Sequence, residues 1–469
     1  MAQQAARNVS LEDMDRQHFM HPSTALADHV KGTPRIVETA KGITITDRSG
    51  KTFIDGFGGL YCVNIGYGRM EIAEAIYEQA KKLAYYHVYA SHSNEPAIRL
   101  ADRIIRLAPP NMARVYFGLS GSDANETNVK LVWYYNTLRG QPKKVKIISR
   151  WRAYHGSTVM AGSLTGLPIF HNYFNLPVGP VIHLSTPHYY YNAEPGMTER
   201  EYSKKLAEEL EATILKEGPE TVGAFIGEPI MGTGGIIVPP EGYWEEIQKV
   251  LKKYDVLLIA DEVICGFGRL GEMFGSYVYK IEPDFMTIAK GVTSAYQPLS
   301  GAIVSDKVCA LIQEKSAEIG AMGHGYTYSG HPCAAAAGLA NLDILEKEDM
   351  VGNAKRVGAY FMEQLHKTFG NHPLVGEVRG VGLLAGIEFV ADKKKKQRFD
   401  PKLKIGIRSS QACLAEGLIA RAMPNADLLA FSPPLCITKA EVDDIIGRTK
   451  RAIDKLTDEI TREGIWKAV

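Results

Sequence analysis

Cysteine is scarce in this chain: six residues, at positions 62, 265, 309, 333, 413 and 436, occur among 469. No two of them have the close spacing of a zinc-ligand pair or a redox pair, and such sparse use is typical of a reducing compartment. The first residues lack the apolar stretch of a signal peptide, and no apolar run is long enough to span a membrane. The sequence therefore predicts a cytoplasmic protein with no membrane partner and no metal site.

An excess of one charge sign is also missing, because 54 Lys and Arg residues balance 53 Asp and Glu residues. A net charge of +1 gives no reason to expect a nucleic acid as partner. The basic cluster at residues 393–396 is typical of a solvated loop. With 45% hydrophobic residues and this length, the chain can bury a large core, and we expect two or three domains.

Apolar strands alternate with amphipathic helices through the middle of the chain. This alternation predicts an α/β fold with a mainly parallel sheet. In such sheets, ligands bind beyond the carboxyl ends of the strands. The predicted strands cover residues 115–118, 145–149, 222–227, 256–260 and 285–289.

Changes in sequence character suggest three regions. Residues 1–70, which include a hairpin at 42–55, are expected to contribute to a small domain and to the entrance of the active site. Residues 71–328 are expected to form the large domain that holds the site. Residues 329–469 are expected to form a smaller α+β domain, whose last helix opens with a capping box of Thr438 and Glu441.

Lys290 directly follows the strand predicted at 285–289, and Gly291 and Ser294 give the next residues a loop-like character. Its ammonium is therefore expected at the end of a core strand, among small and apolar groups. Desolvation there favours the neutral amine, which is nucleophilic and condenses with an aldehyde to form a Schiff base. The alternative is a lysine that extends past the strand to reach water.

A turn of small residues, SGSDANE at 120–126, connects the strand predicted at 115–118 to a helix. Free backbone N–H groups and the positive end of the helix dipole make such a turn an anion site. Gly121 and Ser122 lie in the turn, and Ser122 adds a hydroxyl. An ordinary helix N-cap is the alternative explanation of the same residues, and the turn alone is a weak signal for phosphate.

Further candidate residues follow the other predicted strands. Tyr154 and His155 suit the face of a flat ring, or simple packing at the rim. Glu228 and Asp261 lie at the ends of two apolar strands. Pyridoxal phosphate (PLP) requires this combination of groups at one edge of the sheet. It needs a lysine that forms a Schiff base with its aldehyde, a site that binds its phosphate, an aromatic side chain that stacks on its ring, and acidic residues near the ring. Asp261 would pair with its protonated ring nitrogen, and Val263 would face the ring opposite Tyr154.

Several segments resemble those of the class III aminotransferases, and most of all the pyruvate-dependent omega-aminotransferase branch. The resemblance extends from the predicted hairpin to the C-terminal helix. It is carried by SGSDANE (120–126), YHGST (154–158), GEPI (227–230), ADEVICGFGR (260–269), AKGVTSAYQPLSG (289–301) and GYTYSGHP (325–332).

This resemblance implies the PLP-transferase fold type I, with PLP as the cofactor. It implies a ping-pong reaction in which a primary amine or omega-amino acid gives its amino group to pyruvate, through a Schiff base at Lys290 and pyridoxamine phosphate. It also implies a homodimer with shared active sites. It places Lys290 and Asp261 in catalysis, and it places Gly121, Ser122, Tyr154, His155, Glu228, Val263 and the Thr327 of the other subunit around the cofactor.

Tyr61 and Arg421 are expected on the substrate side of the site. Tyr61 lies in the glycine-rich run at 56–68. In omega-aminotransferases an arginine in a segment that matches Arg421 binds the substrate carboxylate, as a bidentate guanidinium can. A surface salt bridge is the alternative. Relatives acting on ornithine or 4-aminobutyrate carry glutamine where this chain has Ile264, which leaves the partner of the cofactor's phenolic oxygen open.

Other functions of the same fold remain open from the sequence. A decarboxylating aminotransferase and an aminomutase would use the same residues. A catalytically idle PLP-binding protein is a further alternative, although Lys290, Asp261 and Tyr154 are all present. The sequence also leaves the physiological amine open.

Overall fold

The computed structural model describes residues 9–424 and 427–467, and all structural statements concern that part of the chain. One seven-stranded and two four-stranded sheets are surrounded by helices. In chain order the strands are β1 Val37–Lys41, β2 Thr44–Asp47, β3 Thr52–Asp55, β4 Met112–Gly118, β5 Lys146–Arg150, β6 Val181–Leu184, β7 Val222–Gly227, β8 Leu257–Asp261, β9 Phe285–Ile288, β10 Ser300–Ser305, β11 Val375–Val381, β12 Leu384–Phe389, β13 Leu418–Ile419, β14 Arg421–Ala422 and β15 Leu428–Phe431.

The helices are mostly amphipathic and pack one face against a sheet or another helix. Among the described residues, no helix combines the length and the apolar character needed to cross a membrane. The helices are α1 Leu11–His18, α2 Leu26–His29, α3 Gly58–Tyr61, α4 Met70–Lys82, α5 Glu95–Leu107, α6 Gly121–Leu138, α7 Val159–Leu164, α8 Tyr189–Asn192, α9 Glu199–Glu217, α10 Tyr243–Lys253, α11 Gly275–Tyr279, α12 Asp306–Ile319, α13 Pro332–Lys347, α14 Met350–Phe369, α15 Ile405–Ala415 and α16 Lys439–Arg462, with 3-10 turns at Pro168–Phe170, Lys290–Val292 and Pro401–Leu403.

The seven-stranded sheet has the strand order β4-β10-β9-β8-β7-β5-β6. Its neighbours pair in parallel, except that β10 runs antiparallel to both β4 and β9. The residues of β7, β8 and β9 are buried throughout, as expected for strands that are covered on both faces. The prediction of an α/β fold with a mainly parallel sheet is confirmed. The reversed direction of β10 is a feature that the sequence pattern does not indicate.

Each face of this sheet has its own apolar core. Ile226 of β7 and Ile259 of β8 pack in one cluster with Val132 of α6. Their chain neighbours Phe225 and Leu258 point to the other side and join apolar residues of α9 and α10. Because both faces are covered, the open positions for a ligand lie at the strand ends. The carboxyl ends of β4, β5, β7, β8 and β9 all lie at one edge.

The two smaller sheets join segments that are far apart in the sequence. β2 and β3 form the predicted hairpin, with Thr46 opposite Thr52. β13 then pairs in parallel with β3, with Leu418 opposite Ile54. β11, β12, β15 and β14 make the third sheet, which is antiparallel. The N-terminal strands therefore contact the C-terminal part of the chain, while the predicted boundaries at residues 70 and 328 stay predictions.

Candidate active site

A cavity opens at the carboxyl edge of the large sheet, where the predicted residues come together. Residues at or just beyond the carboxyl ends of β4, β5, β7, β8 and β9 contribute to it. A larger cavity, of about 630 Å³, opens at the other edge of the sheet. The residues that line the cavity at the carboxyl edge are Gly121, Ser122, Tyr154, His155, Gly156, Glu228, Asp261, Val263, Ile264, Ala289 and Lys290.

Lys290 begins the 3-10 turn that follows β9 after one residue, Ala289. Its backbone has a positive φ of 44°, which is unusual for a residue other than glycine and is more often found at functional sites. The next residue is Gly291, where a Cβ would lie 2.6 Å from the amide nitrogen of Asn64. Removal of water lowers the pKa of the Lys290 ammonium, although nearby acids partly oppose this. The turn therefore presents a lysine that gives up its proton more readily than one in water.

Asp261 ends β8 and is held by three donors. Its Oδ2 accepts a hydrogen bond from the Asn125 amide at 2.9 Å and lies 2.7 Å from His155 Nδ1. Its Oδ1 accepts a hydrogen bond from the backbone N–H of Val263 at 3.1 Å. Asn125 is fixed in turn by the hydroxyl of Thr287, which donates to its Oδ1 at 2.6 Å. The carboxylate is thus buried in one fixed orientation and borders the cavity.

Asn125 is a site residue that the sequence interpretation missed, although the segment SGSDANE contains it. It lies on α6, one turn beyond the residues of the anion site, and its side chain faces the sheet. A polar residue on the buried face of a helix was the available signal, because a buried amide needs hydrogen-bond partners.

The anion site is the N-terminus of α6. Ser120 caps the helix through a reciprocal pair of hydrogen bonds with Asp123. The N–H groups of Gly121 and Ser122, the first two helical residues, have no intrahelical partner and are available to a ligand. Gly121 has no side chain to fill the space, and a Cβ there would lie 3.1 Å from Val263 Cγ2. These groups suit a phosphate.

Tyr154 and Val263 both line the cavity and provide its apolar walls. The backbone N–H of Tyr154 donates to Glu228 Oε1 at 3.2 Å, and Gly232 N–H donates to Glu228 Oε2 at 2.8 Å. Burial raises the pKa of Glu228, and His155 opposes the rise. Ile264 also lines the cavity. Because its side chain is a hydrocarbon, it offers no hydrogen bond to the phenolic oxygen of a cofactor.

Tyr61 and Arg421 lie beside the cavity rather than in its wall. Tyr61 is buried with a positive φ of 64°, and the centre of its ring is 5.7 Å from Lys290 Nζ. The guanidinium of Arg421 lies 5.5 Å from the ring centre of Phe57, which contacts the Tyr61 ring. Within the described residues, no carboxylate lies within 4.0 Å of the Arg421 guanidinium. Among the described residues, Arg421 therefore does not form the salt bridge that was the alternative to carboxylate binding.

Thr327, which was predicted to contact the cofactor phosphate, does not line the cavity of its own chain. It is exposed in the segment before α13, and its carbonyl accepts a hydrogen bond from the Tyr85 hydroxyl at 2.6 Å. A role at the phosphate therefore requires a second copy of the chain.

These residues fit PLP. One cavity is surrounded by four kinds of group. They are the lysine with a lowered pKa, the oriented carboxylate of Asp261, the two apolar walls, and the N-terminus of α6, where Gly121 has no side chain. The cofactor has a matching group for each of them, in the same order: an aldehyde, a ring nitrogen, two ring faces and a phosphate. Lys290 lies on the wall of this cavity, and its role there remains a prediction.

Comparison with known proteins gives a consistent result. The family model described as aminotransferase class-III matches residues 25–453. A diaminobutyrate–2-oxoglutarate transaminase of Halomonas elongata is 57% identical over 462 residues, which are 98% of each chain. A putrescine–pyruvate aminotransferase of Pseudomonas aeruginosa is 40% identical over 96% of this chain and 97% of its own. The crystal structure of an omega transaminase from Pseudomonas jessenii in complex with PMP has a TM-score of 0.94 at 44% identity, over 96% of this chain and 99% of that one.

Proposed function

Because this chain belongs to the class III aminotransferases, which have PLP fold type I and depend on PLP, we propose that it transfers amino groups from a primary amine or omega-amino acid to pyruvate. The observation that carries the choice of acceptor is Arg421. Its guanidinium has no carboxylate partner among the described residues and lies close to the residues around Lys290.

The residues of the chain divide the work of the reaction. Bound PLP supplies an aldehyde that condenses with amines and a ring that accepts electrons. The amine of Lys290 would take the proton from the amine-bearing carbon of the donor as general base and, as general acid, would deliver it to the carbon that was the cofactor's aldehyde. The carboxylate of Asp261, oriented by Asn125 and His155, keeps a ring nitrogen protonated. The N–H groups of Gly121 and Ser122 hold the phosphate, and Tyr154 and Val263 cover the ring faces.

Pyruvate suits this site because it has one carboxylate. Arg421 matches that group with two charge-assisted hydrogen bonds. Apolar side chains lie beside Arg421, since its guanidinium lies over Phe57, which belongs to one cluster with Tyr61 and Met423. A second carboxylate, as in 2-oxoglutarate, would lose its hydration there without a partner. The name of the Halomonas elongata relative nevertheless makes 2-oxoglutarate the second candidate acceptor.

A reaction with alanine tests the class of chemistry. The PLP-loaded protein is mixed with L-alanine while the visible absorbance of the cofactor is followed. Loss of that absorbance with release of pyruvate, in equal amount to the sites, is the expected result. Release of carbon dioxide would instead indicate the decarboxylating alternative. No change with any amine would contradict aminotransferase activity.

We expect Asp261→Asn to bind PLP but to slow proton transfer about a hundredfold or more, as loss of one charge-stabilising group does. An amide has no negative charge with which to keep the ring nitrogen protonated. Stopped-flow single-turnover rates measure the step. Asp284→Asn is the matched control, because Asp284 is also mostly buried beside a strand of the same sheet but borders the other cavity. Near-normal single-turnover rates in Asp261→Asn would place the carboxylate in another role.

The active sites are further proposed to be shared within a homodimer, with Thr327 of the partner subunit at the phosphate. Thr327 is exposed in its own chain, next to the exposed rings of Tyr85 and Tyr328. Exposed apolar groups that cluster in this way are typical of an interface.

Subunit mixing tests this sharing. Lys290→Ala and Thr327→Asp should each be nearly inactive alone, the second because its carboxylate repels the phosphate. In a mixed dimer, one site would combine an intact Lys290 with an intact Thr327 of the partner subunit. Random mixing should therefore restore roughly a quarter of the normal activity. Mixtures that stay inactive although hybrid dimers form would contradict a shared site.

A further inference from the structure

Two histidines and an aspartate converge in the N-terminal segment, well outside the active-site cavity. Asp15 lies on α1, His21 follows that helix, and His29 ends α2. Asp15 Oδ2 lies 2.9 Å from His21 Nε2, and Asp15 Oδ1 lies 2.9 Å from His29 Nε2. One donor atom from each of the three residues lies within 4.8 Å of the other two. Both imidazoles thus turn the same nitrogen toward one carboxylate.

Hydrogen bonds explain only one of the two contacts between Asp15 and the histidines. His21 Nε2 and Asp15 Oδ2 have the geometry of a hydrogen bond. In contrast, His29 Nε2 and Asp15 Oδ1 are buried atoms without a hydrogen-bond partner among the described residues, although they are 2.9 Å apart. The side chain of His29 is only 9% exposed. A buried nitrogen and a buried oxygen that face each other in this way fit two ligands that share a cation.

Within a single chain, the segment that carries the three residues packs little against the rest of the protein. Neither α1 nor α2 has a buried residue. Apolar side chains such as Phe19 and Met20 are exposed. Helices this short are marginal in water without packing. A bound ion that ties both helices together would supply the missing stabilisation, because metal binding to a site that the unfolded segment lacks adds directly to its folding.

We propose that Asp15, His21 and His29 bind Zn²⁺. Two imidazole nitrogens and a carboxylate oxygen are the donors that zinc prefers, and three protein ligands with a water complete its tetrahedral shell. A small rotation of the Asp15 carboxylate directs one oxygen toward the ion between the two rings. The ion then fixes the loop from His21 to His29 and orders the N-terminal segment. The sequence gives little warning of this, since the ligands are separated by six and eight positions.

Zinc titration of the PLP-loaded, chelator-treated protein without a polyhistidine tag tests the proposal. Isothermal titration calorimetry should show one strong site per chain, and Co²⁺ should give the visible absorbance of a tetrahedral complex. Asp15→Asn and His29→Ala should each bind at least about tenfold more weakly. His18→Ala is the matched control, because His18 is an exposed histidine of the same segment that lies outside the group.

Limited trypsin digestion gives a second readout that does not depend on enzyme activity. Arg16 directly follows Asp15 and Lys31 lies two residues after His29, and zinc should slow cleavage at both in the parent protein and in His18→Ala. It should not slow cleavage in Asp15→Asn or His29→Ala. Absence of a strong site in the parent protein would overturn the proposal. Equal binding in Asp15→Asn and His29→Ala would also overturn it, because the zinc would then be an adventitious ion only.

Discussion

Lys290→Ala is expected to abolish turnover while the protein still folds and retains PLP. The loss should be roughly a thousandfold at least and as much as a millionfold, because groups that act as a unit in one reaction fail together. Without the amine, no group at this position moves the proton of the donor. Ser122, Tyr154 and Asp261 remain, so the cofactor should stay bound, with an absorbance that resembles the free aldehyde. Steady-state assays and spectra of the purified variant measure both effects.

Lys307→Ala is the control for this variant. Lys307 follows β10 of the same sheet, is largely exposed, and borders the cavity at the other edge. Its loss should leave activity close to normal. Retention of more than a few per cent of activity in Lys290→Ala would show that another group performs the proton transfer.

Arg421→Ala is expected to impair the reactions of alanine and pyruvate about a hundredfold or more. Charge-assisted hydrogen bonds contribute about 1.5–3 kcal/mol each, and a bidentate pair has two of them. A donor amine without a carboxylate does not need this contact. Its half-reaction with the PLP form should therefore change far less. Stopped-flow measurement of the two half-reactions separates the two effects.

Arg398→Ala is the matched control for Arg421. Arg398 also lies over an aromatic ring, that of Tyr191 at 4.1 Å, but it borders a different cavity. Equal losses in both half-reactions of Arg421→Ala would indicate a structural role for the arginine. Uniform tolerance would mean that another residue binds the carboxylate.

The sheet was predictable because its strands are buried on both faces. Such strands are nearly continuous apolar runs, and β7, β8 and β9 are found within one residue of the predicted ranges. Parallel strands also bring their carboxyl ends to one edge, so the meeting of Lys290, Asp261 and Glu228 followed from the strand pattern alone. The domain boundaries and the roles of these residues remain predictions.

Contacts between distant segments were not predictable in the same way. The hydrogen bond from Asn125 to Asp261 depends on how α6 lies against β8, and nothing local in the sequence specifies it. The position of Arg421 over Phe57 depends on the pairing of β13 with β3, which are separated by most of the chain. The proposed role of Thr327 would depend on a second copy of the chain. Local patterns specify strands, whereas these contacts are specified by packing.

The proposed function is tested most directly by comparing how fast two keto acids accept the amino group in the second half-reaction. The protein is first converted to its amino form with an excess of amine donor and is then freed of small molecules. It is mixed with pyruvate or with 2-oxoglutarate at equal concentrations, and the return of the aldehyde absorbance is timed. The guanidinium of Arg421 has no carboxylate partner among the described residues and lies beside apolar side chains, which predicts a rate about tenfold or more higher with pyruvate. An equal or higher rate with 2-oxoglutarate would contradict it.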